Sequence, residues 1–416
     1  MGVLQEQYKD TKIGRIPKDW EVIKLGETCE FYRGQAFAKS EIIEDGEKEC
    51  IHYGELFTIY SEIIRKIYSK TNSEVIRASE VGDILMPSSD VTPIGLATAS
   101  VINSKGVLIG GDVNIIRPIV KLDSIYLSYL INYEKKKIIR LISGTNVKHI
   151  YNGNLKTLHY ALPPLPEQQK IAEILSTIDE QIINTQAIID KSKELKKGLM
   201  QKLFSEGIGH AEFKDTKIGR IPKDWEVVKI ADIGIVIDSL HQTPKFSDAG
   251  YPMVRVGDIN KSKLTLDNCL TVPKDVFEAF TKKHLPRKGD ILITRVGSFG
   301  KTILVEDDSP FCLGQNTAII TGISNEKYAY YMLNSHPIIK QIGVLTNGST
   351  QPSLSLKEIR NIKISVGSEE EQQKIADILS EADAKIEKEE QEKAQLEQLK
   401  KGLMQQLLTG QRRVKV

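Results

Sequence analysis

The chain contains the same sequence framework twice, and this internal repeat restricts its fold more than any other feature. Three blocks recur in the same order: DTKIGRIPKDWEV at 10–22 and 215–227, EQQKIAEIL or EQQKIADIL at 167–175 and 371–379, and LKKGLMQ at 195–201 and 399–405. Near-identity over blocks of this length does not arise by chance. The sequence therefore predicts one structural unit in two copies.

The stretches between the repeated blocks differ between the two halves. Residues 28–43 read TCEFYRGQAFAKSEII, whereas residues 233–248 read IGIVIDSLHQTPKFSD. Only short echoes remain there, such as GDIL at 82–85 and 289–292. A duplicated domain that drifted uniformly is one explanation, but uniform drift would not spare the flanks. The pattern favours a frame kept for its geometry around variable parts that read two different targets.

Local patterns indicate mixed secondary structure in each half. The opening segment is extended and rich in turns, with Trp20 or Trp225 as a packing anchor. Aliphatic runs such as VGDILM and NTAIITGI alternate with turn residues, which is typical of short strands. Helical patterns follow at 125–142 and 327–342. Each half is therefore predicted to be a mixed α/β, or α+β, globule of about 150 residues.

Each half ends in a long helical pattern with one apolar stripe. Pro166 marks a helix start, Ser368 and Glu371 have the spacing of a capping box, and Gly410 is a stop signal. A helix from 167 to 204 would span roughly 55 Å. A single stripe needs a partner, and the matching helix of the other half is the predicted one. The predicted pairing residues are Ile171, Leu175, Ile178, Ile182, Leu195 and Leu199 in the first copy, and Ile375, Leu379, Ile386, Leu399 and Leu403 in the second.

One glycine interrupts each of these helical patterns within the LKKGLMQ block. Gly198 and Gly402 lower helix stability by about 1 kcal/mol each relative to alanine. Close approach of the two helices would explain both glycines, and fraying of the helices is the alternative.

Composition narrows the class of protein. The 416 residues suffice for two or three domains, and 40% hydrophobic with 27% charged residues is typical of a soluble globular protein. No run of about 18 apolar residues and no secretory signal is present, so a cytoplasmic protein without a membrane span is expected. The four cysteines are far apart, and only His52 lies near one of them, Cys50, so no metal site is expected. The net charge of +2 neither demands nor excludes nucleic acid, because a local basic face matters more.

Catalytic motifs are missing from the sequence. It has neither the glycine-rich cofactor turn nor the Asn/Asp-Pro-Pro-aromatic tetrapeptide of a DNA methyltransferase. GSFGKT at 297–302 resembles a phosphate-binding loop but has two residues, rather than four, between its glycines. HExxH, GxSxG and a cluster of nuclease acids are also missing. The chain is therefore predicted to have no catalytic activity of its own.

Polar and basic residues on the predicted loops are suited to reading DNA. Base edges in the major groove are read by Arg, Lys, Gln, Asn, Ser and Thr, while further basic groups hold phosphates. For each such residue alone, a solvated surface or turn is an equally good interpretation. The candidate DNA-contacting residues are Arg33, Gln35, Lys135, Lys136, Arg140, Lys148 and His149 in the first half, and Gln242, Thr243, Lys245, Arg295, Ser298, Lys301, Ser349, Thr350 and Gln351 in the second.

The ordered combination of these motifs resembles one known family. With the duplicated IGRIPKDWEV, the GDIL turns, GSTQPSLSLKEI at 348–359 and the EQQKIAEIL helix starts, the chain resembles the specificity subunit of type I restriction–modification systems. The match covers essentially all 416 residues. The resemblance implies two target-recognition domains joined by two long antiparallel helices with pseudo-twofold symmetry. The implied division is domain 1 at 1–165, spacer helix at 166–205, domain 2 at 206–367, and spacer helix with C-terminal tail at 368–416.

The resemblance also implies a function and partners. Each domain would read one half of a bipartite, asymmetric site in double-stranded DNA, and the paired helices would set the unread gap. Two methyltransferase subunits would dock, bring S-adenosylmethionine and flip the target adenine. Nuclease–translocase subunits, which use ATP and magnesium, would complete the restricting complex. The chain itself would bind no cofactor.

Two features depart from the family pattern, and two other classes stay open. The first half has GTNVKH at 144–149 instead of the fuller GSTQPSLS, and the Thr-Pro loop at 243–244 has no counterpart near Gly34. A fused nuclease or methyltransferase is one alternative, which the missing motifs oppose. A purely structural coiled-coil protein is the other, but it predicts repeated rather than divergent middles. The sequence leaves the bases recognised and the gap length undetermined.

Overall fold

The computed structural model describes residues 8–35, 37, 39–74, 77–259, 263–346 and 353–415. Two compact units emerge from it, and each is a mixture of strands and helices. The first unit combines the residues up to Thr185 with the segment from Glu392 onward, while the second runs from Gln186 to Gln391. The second unit is thus one continuous stretch of chain, whereas the first combines two segments that lie on either side of it in the sequence.

The elements of the first half are β1 (Tyr8–Thr11), β2 (Gly14–Pro17), β3 (Glu21–Lys24), α1 (Leu25–Thr28), β4 (Cys29–Arg33), a 3-10 turn (Lys39–Glu41), β5 (Lys48–Ile51), α2 (Glu55–Thr58), β6 (Ile63–Ile64), β7 (Ser69–Thr71), β8 (Asp83–Pro87), β9 (Ser89–Asp90), α3 (Pro93–Leu96), β10 (Ser100–Ile102), β11 (Leu108–Ile109), β12 (Val113–Pro118), α4 (Ser124–Tyr133), α5 (Lys135–Ile139), β13 (Lys148–His149), α6 (Asn152–Leu155), β14 (His159–Leu162) and α7 (Leu165–Glu206).

The elements of the second half are β15 (Phe213–Thr216), β16 (Gly219–Pro222), β17 (Glu226–Lys229), α8 (Ile230–Ile233), β18 (Ile235–Asp238), β19 (Tyr251–Val254), α9 (Val256–Ile259), β20 (Leu270–Val272), α10 (Lys274–Thr281), β21 (Ile291–Thr294), β22 (Thr302–Leu304), β23 (Cys312–Leu313), β24 (Thr317–Thr321), α11 (Glu326–Leu333), α12 (His336–Thr346), α13 (Leu356–Asn361), β25 (Lys363–Val366) and α14 (Glu369–Leu408). The predicted mixed α/β class with two long helices is confirmed. No helix in the described ranges is both long and apolar enough to cross a membrane.

A central strand from the GDIL motif organises each unit. In the first unit the sheet order is β4-β12-β8-β10-β6, and in the second it is β18-β24-β21-β22. Strands β8 and β21 are buried along their whole length. Gly82 and Gly289 precede them with φ of +86° and +89°, a conformation that glycine adopts readily. The GDIL echo is therefore kept for a left-handed turn that leads into a buried strand.

The core of each unit lies between its sheet and the long helices. In the first unit, side chains of β8 and α4 share one apolar cluster with Ile171 and Leu175 of α7 and Leu407 of α14. In the second, β21 and α11 share a cluster with Leu203 of α7 and Ile375 of α14. Each globule is thus closed by the start of one long helix and the end of the other.

The two tryptophans have equivalent places, as predicted. Trp20 and Trp225 are 0% and 1% exposed. Their indole Nε1 atoms donate to Glu167 at 3.1 Å and to Glu371 at 2.8 Å, in the first turns of α7 and α14. The opening hairpins β1–β2 and β15–β16 precede these tryptophans. Each repeated opening segment therefore fixes the start of a long helix.

In each unit, the segment after one long helix contacts the same glutamate that accepts the hydrogen bond of the tryptophan. Gly207 and Gly410 end the helices with φ of +62° and +70°, which confirms the stop predicted at Gly410. The His210 imidazole lies 3.0 Å from Glu371, and Arg413 donates to Glu167 at 2.7 and 2.8 Å. The C-terminal tail therefore does in the first unit what the connector after α7 does in the second.

Within each unit the two long helices run antiparallel. In the first unit Lys400 contacts Asp179 at 2.7 Å, and the tail beyond it contacts the start of α7. In the second unit Lys196 contacts Asp383 at 2.6 Å, and Lys193 contacts Glu390 at 2.6 Å. The antiparallel pairing predicted for the helices therefore holds inside both units.

A lysine, an aspartate and a tyrosine tie the helix pair to each globule. The hydroxyl of Tyr129 donates to Asp179 in the first unit, and the hydroxyl of Tyr331 donates to Asp383 at 2.8 Å in the second. The lysines, Lys400 and Lys196, both come from the repeated LKKGLMQ block. The repeat therefore preserves a polar contact as well as an apolar seam.

The predicted pairing residues divide into packed and exposed groups. The packed or partly packed ones are Ile171, Leu175, Ile178, Ile182, Leu199, Ile375, Leu379, Ile386 and Leu403. Leu195 and Leu399 are instead 63% and 50% exposed. In each LKKGLMQ block it is the next residue, Lys196 or Lys400, that faces the globule. The prediction of close helix approach at Gly198 and Gly402 is wrong. Among the described residues, a Cβ at either position would meet no atom within 4 Å other than the adjoining residues and backbone of its own helix.

Both predicted helical patches in the middles are broken in two. The first is interrupted at Glu134, between α4 and α5. The second is interrupted at Asn334, whose side-chain amide donates to Thr302 at 2.6 Å and to the carbonyl of Tyr330 at 2.8 Å. At Asn334 the side-chain bond to a backbone carbonyl competes with the helix and ends it earlier than periodicity suggests.

Candidate nucleic-acid interface

Several loops of the first unit converge at one edge of its sheet. The amide of Ser88 donates to the carbonyl of Asp112 at 2.7 Å, and the amide of Ile150 donates to the carbonyl of Ser88 at 3.1 Å. Strand β9 pairs with β13 in the register Asp90–Lys148. We call residues 33–35, 88–95, 110–112 and 143–151 the first loop edge.

The second unit has the same backbone arrangement. The amide of Arg295 donates to the carbonyl of Asn316 at 2.8 Å, and the amide of Leu354 donates to the carbonyl of Arg295 at 2.7 Å. Asn316 and Asp112 both have positive φ, at +66° and +59°. Residues 238–245, 295–301, 314–316 and 353 form the second loop edge. The two edges share a backbone frame, although their sequences differ.

Each loop edge contains an arginine paired with an aspartate, but the strands that supply them differ. Arg33 at the end of β4 contacts Asp112 at 3.0 Å, and its side chain is 57% exposed. In the second unit the end of β18 supplies the acid, Asp238, and Arg295 contacts it at 2.5 Å. The Arg295 side chain is only 16% exposed, and its Nε donates to the carbonyl of Leu354. Arg33 therefore presents free donors to solvent, whereas Arg295 fixes neighbouring loops.

Three other candidates in the first unit lie on its loop edge. The Gln35 side-chain oxygen accepts from the amide of Arg77 at 2.7 Å, so it supports the loop. The Lys148 ammonium donates to the carbonyl of Gly144 at 2.8 Å. The His149 ring stacks on Tyr151 with 6.0 Å between centroids. The loop edge thus combines a few available donors with an aromatic pair.

The predicted basic face on α5 is smaller than expected. Lys135 is half-buried beside Glu62 and Lys400, and burial lowers the pKa of its ammonium group. Lys136 and Arg140 are exposed. Only the latter two point outward and have room for a phosphate.

The remaining candidates of the second unit are mostly exposed. Gln242, Thr243 and Lys245 lie in the exposed loop after β18, and Lys301 is also exposed. The carbonyl of Ser298 accepts from the Thr294 hydroxyl, which holds the loop after β21. Ser349, Thr350 and Gln351 lie outside the described residues.

Several residues with structural roles at these sites were not predicted from the sequence. They are Ser88, Asp112, Asp238 and Asn316 at the loop edges, and Glu167 and Arg413 at the helix start. GGDVNII at 110–116 and GQNTAII at 314–320 could have indicated the two positive-φ positions, because both place Asp or Asn before an aliphatic strand.

No metal or thiol site is evident in the described part of the chain. No group of three or more His, Cys, Asp or Glu residues there could hold a metal ion. Burial raises the pKa of the Cys50 thiol to about 11, so the thiol beside His52 stays protonated at neutral pH.

Comparisons with known proteins match both halves of the chain. The model of the type I restriction modification DNA specificity domain matches residues 17–194 and again residues 222–398. The MjaVIII type I restriction enzyme specificity subunit of Methanocaldococcus jannaschii is 30% identical over 99% of this chain and 97% of its own length. The putative MjaX specificity subunit of the same organism is 31% identical over 99% of this chain and 98% of its own.

Solved structures share the fold at lower identity. The S subunit of a type I restriction–modification system from M. genitalium is 17% identical with a TM-score of 0.60, covering 93% of this chain and 96% of that one. A chain from work on complex assembly and conformational transition of the type I R-M system is 16% identical with a TM-score of 0.55, covering 95% and 99%. These similarities extend over both units and both long helices.

Proposed function

The chain belongs to the family of type I restriction–modification specificity subunits, and we propose that its two loop edges each read one half of a divided, asymmetric DNA site. The observation that supports this most is the pair of backbone hydrogen bonds shared by the two edges. Around that common frame, Ser88 in one unit is replaced by Arg295 in the other. Equal frames with unequal side chains suit two readers of different base sequences.

Exchange of one variable part tests this proposal. Residues 26–160 are replaced by the corresponding segment of a relative with a known target, and the methylated DNA is sequenced. Only one half of the recognised site is expected to change, because the second loop edge stays intact. A site that is undivided, or unchanged by the exchange, would contradict the proposal.

As a specificity subunit the chain acts with other subunits, and the finer composition of the complex belongs to the proposal. Two methyltransferase subunits would contribute S-adenosylmethionine and the transfer of a methyl group to adenine. Nuclease–translocase subunits would contribute ATP- and magnesium-dependent cleavage. This chain would contribute the recognition of DNA and the placement of the other subunits.

The repeated LKKGLMQ blocks offer equivalent surfaces for two copies of one partner. Leu195 and Leu399 are large, exposed apolar side chains at matching positions. Gly198 and Gly402 lie one turn further on the same helix face, with open space above them. An exposed leucine beside a glycine permits a partner helix to approach closely. We infer that these are docking surfaces for the methyltransferase subunits.

Introduction of a charge at these apolar surfaces should weaken the binding of the methyltransferase subunits. Leu195→Lys together with Leu399→Lys is expected to lower methyltransferase affinity at least tenfold, through loss of about 1.5–3 kcal/mol of apolar burial at each site. Ile188→Lys is the matched control, since Ile188 is 48% exposed on α7 outside the repeated blocks. Binding is measured by calorimetry and chain stability by thermal melting. Equal loss in the control would oppose this docking site.

A further inference from the structure

The first loop edge presents apolar side chains to solvent. Val91 and Ile94 are 69% and 67% exposed, and Val147 and Tyr151 are 48% and 52% exposed. All four lie within four residues of the β9–β13 pair. A group of this kind on a loop indicates a binding surface, whereas single exposed apolar residues are ordinary.

A network of short hydrogen bonds holds the turn that carries Val91 and Ile94. The Asp90 carboxylate accepts from the Val91 amide at 2.7 Å and from the Thr92 hydroxyl at 2.6 Å. The Thr92 hydroxyl oxygen accepts from the amide of Gly95 at 3.2 Å. A Cβ at Gly95 would lie only 2.1 Å from the Asp90 carboxylate, so the turn depends on glycine. The apolar side chains are therefore held outward by a rigid turn.

Cationic groups flank this apolar group. Lys148 is the Cα partner of Asp90 across the β9–β13 pair and directly follows Val147. Arg33 lies on the same loop edge, is 57% exposed, and has one carboxylate partner, Asp112, at 3.0 Å. A loop edge that carries both exposed apolar side chains and cations fits a ligand with methyl groups beside negative charge. Double-stranded DNA has this combination in its major groove.

The described part of the second loop edge has no equivalent apolar group. The turn after β21 is Gly297-Ser298-Phe299-Gly300, and its aromatic side chain packs against the core of the second unit. The exposed residues of this edge are polar or basic, such as Gln242 and Lys301. The apolar turn is therefore specific to the first unit, which suits a feature of its own target rather than a partner shared by both units.

We propose that Val91 and Ile94 contact thymine methyl groups in the DNA half-site read by the first unit. Among the four bases only thymine carries a C5 methyl group at the major-groove edge, and apolar side chains are its natural partners. The inference rests on the proposed DNA-reading function of the first loop edge. It makes these two residues specificity determinants for A·T pairs.

Removal of single methyl groups from DNA tests the proposal. The complex of the full chain with its methyltransferase is titrated with duplexes that carry its site, in which each thymine of the first half-site is replaced in turn by deoxyuridine. Affinity is expected to fall roughly three- to fivefold at one or two positions, as for one buried methyl group. Deoxyuridine in the second half-site is the control and is expected to have no such effect.

Variants of the turn connect the effect to these residues. In Ile94→Ala and Val91→Ala complexes, the deoxyuridine effect at the contacted position is expected to disappear. Thermal melting of both variants shows whether the unit remains folded, and neither side chain is in the core. A first half-site without thymine, or one insensitive to deoxyuridine at every position, overturns the proposal. Failure of the complex to bind DNA specifically overturns the proposed function instead.

Discussion

Replacement of Lys400 by methionine is expected to lower the free energy of unfolding of the first unit by about 3–5 kcal/mol. The Lys400 ammonium contacts Glu62 at 2.8 Å and Asp179 at 2.7 Å, and these carboxylates are 15% and 7% exposed. Without the lysine, these two largely buried carboxylates lose the cation that they share, although the hydroxyl of Tyr129 still donates to Asp179. An uncompensated buried charge is among the most destabilising changes known in proteins.

The equivalent lysine of the second unit is the matched control. Lys196→Met is expected to lower the free energy of unfolding by about 1 kcal/mol, because its partner Asp383 is 40% exposed and keeps its hydration. The two tryptophans lie in different units, so urea unfolding followed by fluorescence in Trp225→Phe and Trp20→Phe backgrounds reports on each unit separately. Equal effects of the two lysines would contradict this assignment.

The pH dependence of this contribution follows from the same contacts. Burial by itself would lower the pKa of Lys400, but Glu62 and Asp179 outweigh burial and hold that pKa above its usual value of 10.5. The lysine is therefore charged throughout the neutral range. Its contribution is fully present below the unfolded pKa and is lost as the pH rises through the folded one. In the wild type no loss of this interaction is expected between pH 6 and about 9.

Insertion of four residues into both long helices should change the length of the unread gap and leave both half-sites unchanged. Helix α7 continues from the first unit into the second after Thr185, and α14 continues from the second into the first after Gln391. Insertions at these two points preserve the contacts inside each unit. Four helical residues add roughly 6 Å, close to two base-pair steps. The original site should lose at least a hundredfold in affinity, since mismatched base pairs cost about 1–3 kcal/mol each.

Methylome sequencing of cells that express this variant with its methyltransferase measures the outcome. The expected product is a site with the same two half-sites and a longer gap. Insertion in α7 alone is the control, and it should lower the stability of the chain. With α7 lengthened and α14 unchanged, the helix pair cannot keep its register both at Lys196–Asp383 in the second unit and at Lys400–Asp179 in the first. If the half-sites themselves changed, the helices would not act as the spacer.

The repeated frame could be predicted from sequence almost completely. The helix expected at 167–204 is observed at Leu165–Glu206, because strong periodicity and a clear start signal determine its ends. Both tryptophans are buried, as expected of anchors in a turn-rich segment. Such features depend on local sequence and apolar periodicity, so that a single chain reveals them.

The polar contacts of the frame could be predicted only in part. The amide of Glu371 does donate to Ser368 at 3.3 Å, as in the predicted capping box. Its carboxylate, however, binds Trp225 and His210 instead of the backbone at the helix start. Tertiary partners outcompete the local one here, and they come from distant sequence positions.

Prediction of the candidate site from sequence was limited in the same way. Residue type suggested Arg33 and Arg295 equally, yet one side chain is largely exposed and the other largely buried. The difference depends on which neighbouring strand supplies the aspartate. Lys135 was likewise expected at the surface, but it lies half-buried beside Glu62 and Lys400. Exposure at a loop edge is a property of the fold and cannot be obtained from the identity of one residue.

The use of both chain ends in the first unit has a consequence for its synthesis on the ribosome. Domains usually fold in the order in which they emerge, the N-terminal one first. Here the second unit is continuous and complete once Gln391 has emerged, whereas the first still lacks Lys400, Leu407 and Arg413. The part of the protein that is translated first is therefore expected to mature last, and a premature stop between Gln391 and Lys400 would leave a finished second unit attached to an unfinished first.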